Sequence, residues 1–268
     1  MFCEDPYINF LKDRGYNVVR LPKADFPPLT LLSHSGERDL SRIGNISELF
    51  VGATLPVIAA NVPAAGVSGK HTNALNLGLG LDLLGTIISA MGGGQIGLKT
   101  EFKHASGVTF EFPHVLSDGV TVAALDKFLG ATQISADVRY VRELLDNSDI
   151  YVVTNTIKSN SVTVDTNASG SAGVEVQVPA LQQIVGATVK VSGESEHTGR
   201  VTFSGDAQLV FGFQAYRLIY ADGKYIKLEP LPAGSSAAKS VDDLLTGQPP
   251  ETAVRLHTKG AWVTFNTN

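Results

Sequence analysis

The chain has 268 residues, 43% of them hydrophobic and 18% charged, enough for one large domain or for a domain with an appendage. A formal charge of −5 and the absence of any basic run exclude a general nucleic-acid partner, because such a partner needs a cationic surface that displaces counterions from phosphates. A single cysteine, Cys3, excludes an intramolecular disulfide and a cysteine metal cluster.

The first ten residues, MFCEDPYINF, place Glu4 and Asp5 where a secretion signal needs a basic region, so the protein is expected to be made and kept in the cytosol. Tyr7, Phe10 and Leu11 sit at helical spacing behind Pro6 and ahead of Gly15, which predicts a short helix over residues 5–13. Residues 16–21 read as a strand closed by Pro22, and Pro27-Pro28 breaks the chain before the next apolar run. Residues 40–50 carry a weak helical pattern, and residues 56–69 are small, Pro-rich and Gly-rich. Over residues 73–85, Leu75, Leu77, Leu79, Leu81 and Leu83 alternate with Asn76, Gly78, Gly80 and Asp82, which predicts a strand; residues 83–91 then turn helix-like. The 75–91 run is interrupted by Asn76, Asp82 and glycines, so it does not qualify as a helical membrane span.

After Gly92-Gly93-Gly94 comes the most patterned stretch, residues 95–112. Ile96, Leu98, Phe102, Val108, Phe110 and Phe112 are apolar, while Lys99, Glu101, Lys103, Thr109 and Glu111 are polar. A period of two predicts one strand with an apolar and a charged face, longer than the ~9–11 residues that cross a bilayer as a tilted strand. The pattern leaves two uses open: the apolar face covers a soluble core, or it meets lipid while the charged face lines water.

Helices are expected over residues 122–129 and over 136–145, where Val138, Val141, Leu144 and Leu145 follow Ser135 as cap. Residues 150–165 are strand-rich, 168–173 form a Ser/Gly turn, and Val174, Val176 and Val178 alternate again. A helical turn at 179–185 precedes strands at 188–192, with Val189 and Val191, at 200–204 and at 207–220; an Asp222-Gly223 hairpin turn leads into 225–228. Residues 230–239 have the composition of a tether, 240–245 begin a short capped helix, and Gly247-Gln248-Pro249-Pro250 ends it. A last strand-like piece, 253–265, holds Trp262, the only tryptophan. Strands and helices mix without regular alternation, which predicts an α+β fold with a mostly antiparallel sheet.

Chemistry is sparse. Gly78, Gly80 and Gly85 fit neither a dinucleotide fingerprint nor a phosphate loop, and no nucleophile elbow exists. The histidines, at 34, 71, 104, 114, 197 and 257, are scattered and give a metal site no local support; His104 reads as a cross-strand or solvent-facing residue rather than a base. An enzyme would need residues assembled from distant positions. Cys3 could be inert, a nucleophile or a lipid acceptor, and Glu4 and Asp5 disfavour the thiolate that catalysis needs.

Residues 14–32, RGYNVVRLPKADFPPLTLL, placed just after a near-terminal cysteine, resemble the opening of the bacterial gasdermins. The leucine-alternating stretch, the glycine break, the two-faced stretch 96–112 and a detachable-looking C-terminus follow in that family's order, so the resemblance covers essentially the whole chain. It implies a twisted sheet with surrounding helices: a pore-forming domain over residues 1–245 and a short autoinhibitory segment over 246–268. A partner protease, often caspase-like, would cut that segment off, and the body, a monomer until then, would assemble with copies of itself in the cell inner membrane and kill the cell in defence against phage. The family is not enzymatic and has no cofactor; its lipidated cysteine near the N-terminus matches Cys3, which would carry a palmitoyl-type chain.

Asp243, Leu244, Leu245, Thr246, Gly247 and Gln248 form the expected cleavage region, since the Gly-Gln-Pro-Pro run cannot be a central strand. Val254, Leu256, Trp262, Val263 and Phe265 are too many apolar residues for a free terminus and are expected to dock on the body. The 96–112 stretch and a second set within 150–191, namely Val174, Val176, Val178, Val189 and Val191, are the expected membrane-inserting strands. The chain departs from the animal gasdermins in having no large repressor domain. Residues 252–268 hold Arg255 and Lys259 and no acid, so their loss makes the body two charges more negative. Apolar burial rather than charge must then draw it to a membrane, with help from an acyl chain. The competing reading is a soluble β-rich binding module whose C-terminal strand is permanent, with an uncharacterised hydrolase behind it.

Overall fold

The computed structural model describes residues 6–34, 40–167, 175–233 and 236–237. Cys3, Val174, the cleavage region and the apolar residues of the C-terminal segment lie outside the described residues.

The chain opens with helix α1 (Pro6–Lys12), which buries Tyr7, Phe10 and Leu11 as its spacing predicts. Strands β1 (Asn17–Lys23), β2 (Thr30–His34) and β3 (Leu40–Asn45) follow, then the one-turn helix α2 (Ile46–Leu49), β4 (Phe50–Val51), β5 (Ala59–Pro63) and β6 (Leu75–Asn76). Next come helices α3 (Leu77–Ala90) and α4 (Leu98–Glu101), strands β7 (Gly107–Glu111) and β8 (Leu116–Gly119), α5 (Val122–Ala131), β9 (Gln133–Ile134) and α6 (Arg139–Asp146). The second half holds β10 (Ile150–Asn167), β11 (Val176–Gln177), α7 (Val178–Val185), β12 (Lys190–Gly193), β13 (His197–Thr198), β14 (Arg200–Ala221), β15 (Lys224–Pro230) and β16 (Ser236–Ala237).

The long pair β10–β14 is the spine, antiparallel from Ile150↔Leu218 to Asp165↔Arg200, with register shifts that bend it. Shorter strands line its two edges. Along β10 these are β2, β8 and β7; along β14 they are β15, β1 and β12. Asp222 and Gly223, with φ of 52° and 70°, make the tight turn between β14 and β15 that the Asp-Gly pair predicts. Because β1 also pairs β16, β16 pairs β3 and β3 pairs β2, the strands β14, β1, β16, β3, β2 and β10 close a ring. The two contacts of β16 are parallel; the other strand pairs are antiparallel.

Adjacent residues separate the faces. Val19, Leu32, Val153 and Phe213 fill the ring with Leu40, Tyr151 and Phe26, while Leu31, Val152 and Leu218 pack outward beneath α2, α5 and α6. A third and larger core lies beneath α1, α3, α4 and α7. Among the described residues, no helix is long and apolar enough to cross a membrane, which says nothing of strands.

Several expected elements differ. The leucine alternation of residues 73–85 gives only the two-residue β6; from Leu77 onward it is helix. Asn76 caps that helix by accepting from the Leu79 amide at 3.0 Å, and Leu81, Leu84, Ile87 and Ile88 bury one helical face. The stretch 95–112 is not one strand. Gly97, at φ 101°, starts the single turn α4, and only Gly107–Glu111 is extended. His104 accordingly sits exposed in the turn between them, not on a strand. The weak helical pattern at 40–50 splits into β3, α2 and β4, because Asn45 and Glu48 form a capping box that confines the helix to one turn. Val176 is in a strand, but Val178 already opens α7 with Pro179 behind it. Pro22 does not close β1, which continues to Lys23 across an irregularity. The predicted tether contains β16, and the strands expected at 200–204 and 207–220 are one continuous β14.

Candidate membrane-inserting face

The apolar residues of the two patterned stretches, far apart in sequence, meet in one core. Leu98, Phe102, Val108, Phe110, Phe112, Val176 and Val189 are all buried in the same cluster, with Val178 and Val191 packed against it. Ile96 is the exception, at 94% exposed. Alternation in β7 does what it predicts: Val108 and Phe110 point inward, Thr109 and Glu111 outward. Phe112 continues the inner face and stacks on Phe211 of β14 at 4.2 Å, and its ring is tilted against Tyr7 of α1 at 6.3 Å.

Helices, not a second sheet, roof this face. Contact with α3 is close: a Cβ on Gly80 would stand 2.1 Å from Val108 Cγ2. Leu181 and Val185 of α7 complete the cover. Exposing the seven buried side chains to water, at ~1.5–3 kcal/mol each, would cost ~10–20 kcal/mol. That equals or exceeds the whole stability of an ordinary domain, ~5–15 kcal/mol, so this face can turn outward only into another apolar phase.

A small crevice of about 10 Å³, room for a single water and partly open to solvent, lies between α3 and the spine. Ile87, Met91, Phe112, Leu209 and Phe211 line it. Two of these, Phe112 and Phe211, belong to the aromatic stack that starts at Tyr7, so the first turn of α1 is adjacent to the crevice.

The outer face of the spine is polar. Thr163 and Thr202 hydroxyls meet across β10–β14 at 2.8 Å, and Lys158 pairs with Asp118 of β8 at 2.5 Å. At the end of the spine, Arg200 bonds both Glu111 and Asp165. Burial works against the Arg200 charge, but its bonds to those carboxylates outweigh this and hold its pKa above the usual arginine value. His71 stands 3.5 Å from Glu111 and 3.6 Å from Asp165. Its donors come from three distant segments, which is why sequence spacing gave no hint of the group. Lys99 and Glu101, expected on the charged face of a long strand, are instead on α4, where Lys99 pairs with Asp82 at 3.2 Å.

Sequence reasoning missed one further surface. Leu55, Val57, Ile58 and Val62 are exposed, Val57 at 88%, along the edge strand β5 and the segment before it. The signal was available: no charged residue or histidine occurs from Phe50 to Gly69.

Comparison with known proteins agrees with this architecture. The model of the Bacterial Gasdermin Family matches residues 19–224. A gasdermin from a Desulfuromonadales bacterium is 43% identical over 266 residues, covering 98% of each chain. One from Lysobacter enzymogenes is 36% identical over 254 residues, covering 92% of this chain and 93% of that one. The solved structure of a bacterial gasdermin from Bradyrhizobium tropiciagri shares the fold, with a TM-score of 0.60 over 88% of this chain and 94% of its own at 16% identity. The chain therefore belongs to the bacterial gasdermins, a family of pore-forming proteins and not of enzymes.

Proposed function

We propose that the protein is an autoinhibited pore-former in which a protease of the caspase-like class, cutting within Asp243–Gln248, removes residues 246–268. The freed body, residues 1–245, then associates with copies of itself at the cell inner membrane and inserts strands from residues 96–112 and 174–191 to close a β-barrel pore. Cell death in defence against phage is the outcome. The observation that carries this reading is the single buried face built from both patterned stretches and roofed mainly by helices. Such a face can be uncovered by lifting α3, while α4 and α7, which lie within the two stretches, unwind to extended chain and the spine β10–β14 persists. Lipid then takes the place of α3 against this face, which avoids the cost of exposure to water.

Cys3 carries an acyl chain in this reading. It lies three residues before Pro6, within ~10 Å of extended chain from the start of α1, and α1 adjoins the crevice. The crevice is too small to hold an acyl chain as it stands, so the chain would lie along the surface beside α1 at rest and add to membrane affinity once the body reaches a bilayer. One acyl chain gives only marginal binding, so the strands supply the rest.

The test places a site-specific protease sequence at residues 243–248 of the full chain and measures dye release from liposomes before and after cutting. Sealed liposomes with the uncut chain and leakage after cutting are expected. Trp262→Asp or Leu256→Asp in the uncut chain mimics cutting in part, because an unpaired charge weakens apolar docking by several kcal/mol. A cut chain that stays monomeric and leaves liposomes sealed refutes autoinhibition and favours the binding module with a permanent C-terminal strand.

A further inference from the structure

We propose that His71, Glu111 and Asp165 form a binding site for a divalent transition-metal ion of the zinc class. One ligand atom from each lies within 4.8 Å of the other two. Tetrahedral zinc bonds of ~2.0–2.2 Å set ligand atoms roughly 3.3–3.6 Å apart, so the group closes on an ion with shifts of about 1 Å. Imidazole with two carboxylates suits zinc better than magnesium or calcium, which prefer all-oxygen shells.

The ligands are positioned before any ion arrives. Glu111 and Asp165 stand on the paired strands β7 and β10, two residues apart in register on the same outer face, where two like charges repel. Arg200, opposite Asp165 on β14, bonds both carboxylates and orients them, as hydrogen-bonded outer partners orient metal ligands elsewhere. Two carboxylates against one guanidinium leave the group one negative charge in excess when the imidazole is neutral. The strap that carries His71 is laid along the edge of β7. Gly69 donates to the Phe112 carbonyl and Thr72 to the Phe110 carbonyl, each at 2.8 Å; His71 bridges Glu111, and the Phe110 amide donates to the Thr72 hydroxyl at 3.0 Å. The His71 side chain is 47% exposed, so an ion enters from solvent.

A bound ion would cross-link the strap to β7 and β10. Resting on the pore-forming reading, this adds a consequence: zinc stabilises the resting form and slows leakage after cutting, because an ion that binds one state preferentially shifts the equilibrium toward it. Binding itself does not depend on that reading.

The experiment titrates zinc chloride into the metal-free full chain, followed by calorimetry and thermal melting, with magnesium as comparison. One ion per chain, a rise in melting temperature with zinc and none with magnesium are expected. His71→Asn should weaken binding at least tenfold, whereas His104→Asn, in an exposed turn, should not. Cobalt added to the wild-type chain should give the visible absorption of tetrahedral coordination, which needs no variant to fold. Absence of saturable binding, or of the cobalt absorption, or equal affinity in His71→Asn, would establish an ion-pair network only and overturn the proposal.

Discussion

The same substitution at two glycines of α3 should stabilise the protein at one and not at the other. Gly78 is exposed, and a Cβ there meets only Asn76 Oδ1 at 3.6 Å, an ordinary contact. Gly78→Ala therefore keeps the helix-propensity gain of about 1 kcal/mol. Gly80 faces β7, and its Cβ would lie 2.1 Å from Val108 Cγ2, a fully buried β-branched side chain with little freedom to turn. Overpacking of this kind costs ~1–3 kcal/mol, which offsets the propensity gain and leaves Gly80→Ala ~1–3 kcal/mol less stable than Gly78→Ala. Urea unfolding of the two uncut variants, followed by circular dichroism, reads the difference directly. Since α3 roofs the apolar face, Gly80→Ala should also speed dye release after cutting and Gly78→Ala should slow it. Equal unfolding midpoints for the two variants would show that α3 is not held against β7 by this contact, and the argument about the helical roof would fail with it.

Ile96→Lys tests insertion without touching the core: at 94% exposed it should change stability by less than ~0.5 kcal/mol. A lysine facing lipid costs up to ~2–4 kcal/mol, so leakage should fall; unchanged leakage removes Ile96 from the inserting set. Phe102→Asp and Phe110→Asp are poorer tests, because both residues are fully buried here and a charge there would unfold the resting form. Burial raises the pKa of Tyr220 and of Tyr225, the latter helped by Asp126. The folded state thus keeps protons that the unfolded state loses near pH 10, so stability is unaffected below that pH and declines above it. Tyr220→Phe should show a smaller drop in urea midpoint between pH 9 and pH 11 than wild type, and an equal drop would refute the assignment. Protein from its native cells should carry a hydroxylamine-labile acyl mass that Cys3→Ala loses together with part of its killing activity; an unmodified thiol with full activity in the alanine variant refutes acylation.

Long, strongly patterned elements were legible from sequence. α1, α5 and the spine strands β10 and β14 follow their periodicities, and the Asp222-Gly223 turn follows from residues that accept positive φ; α6 keeps its apolar spacing but starts at Arg139 behind Val138, not behind Ser135 as a cap. Ring closure was not legible, since Ser236–Ala237 pairs with β1 and β3 from a stretch whose composition reads as a tether. Nor was the His71 group, whose members are up to 94 residues apart and gather only through strand register. The exposed edge near Val57 carries no periodic pattern, and its signal is only the absence of charge among small and proline residues.

The two failures of periodicity are the informative ones. Residues 75–83 and 96–112 alternate as strands should, yet the first is mostly helix and the second is broken by α4. In α3 the alternation coexists with helical spacing at Leu77, Leu81, Leu84 and Ile88, so the same leucines satisfy both codes. Its interior glycines lower the helical preference by about 1 kcal/mol each, and only Gly80 is needed for close approach, to Val108; at Gly85 a Cβ meets the flexible end of the exposed Gln95 side chain. Gly78 has no such neighbour; in the helix it costs stability without a packing return. A sequence selected only for this fold would carry alanine there. Local preference that disagrees with the observed state, at a segment roofing the core's most patterned face, is what a second, extended state of the same segment would require.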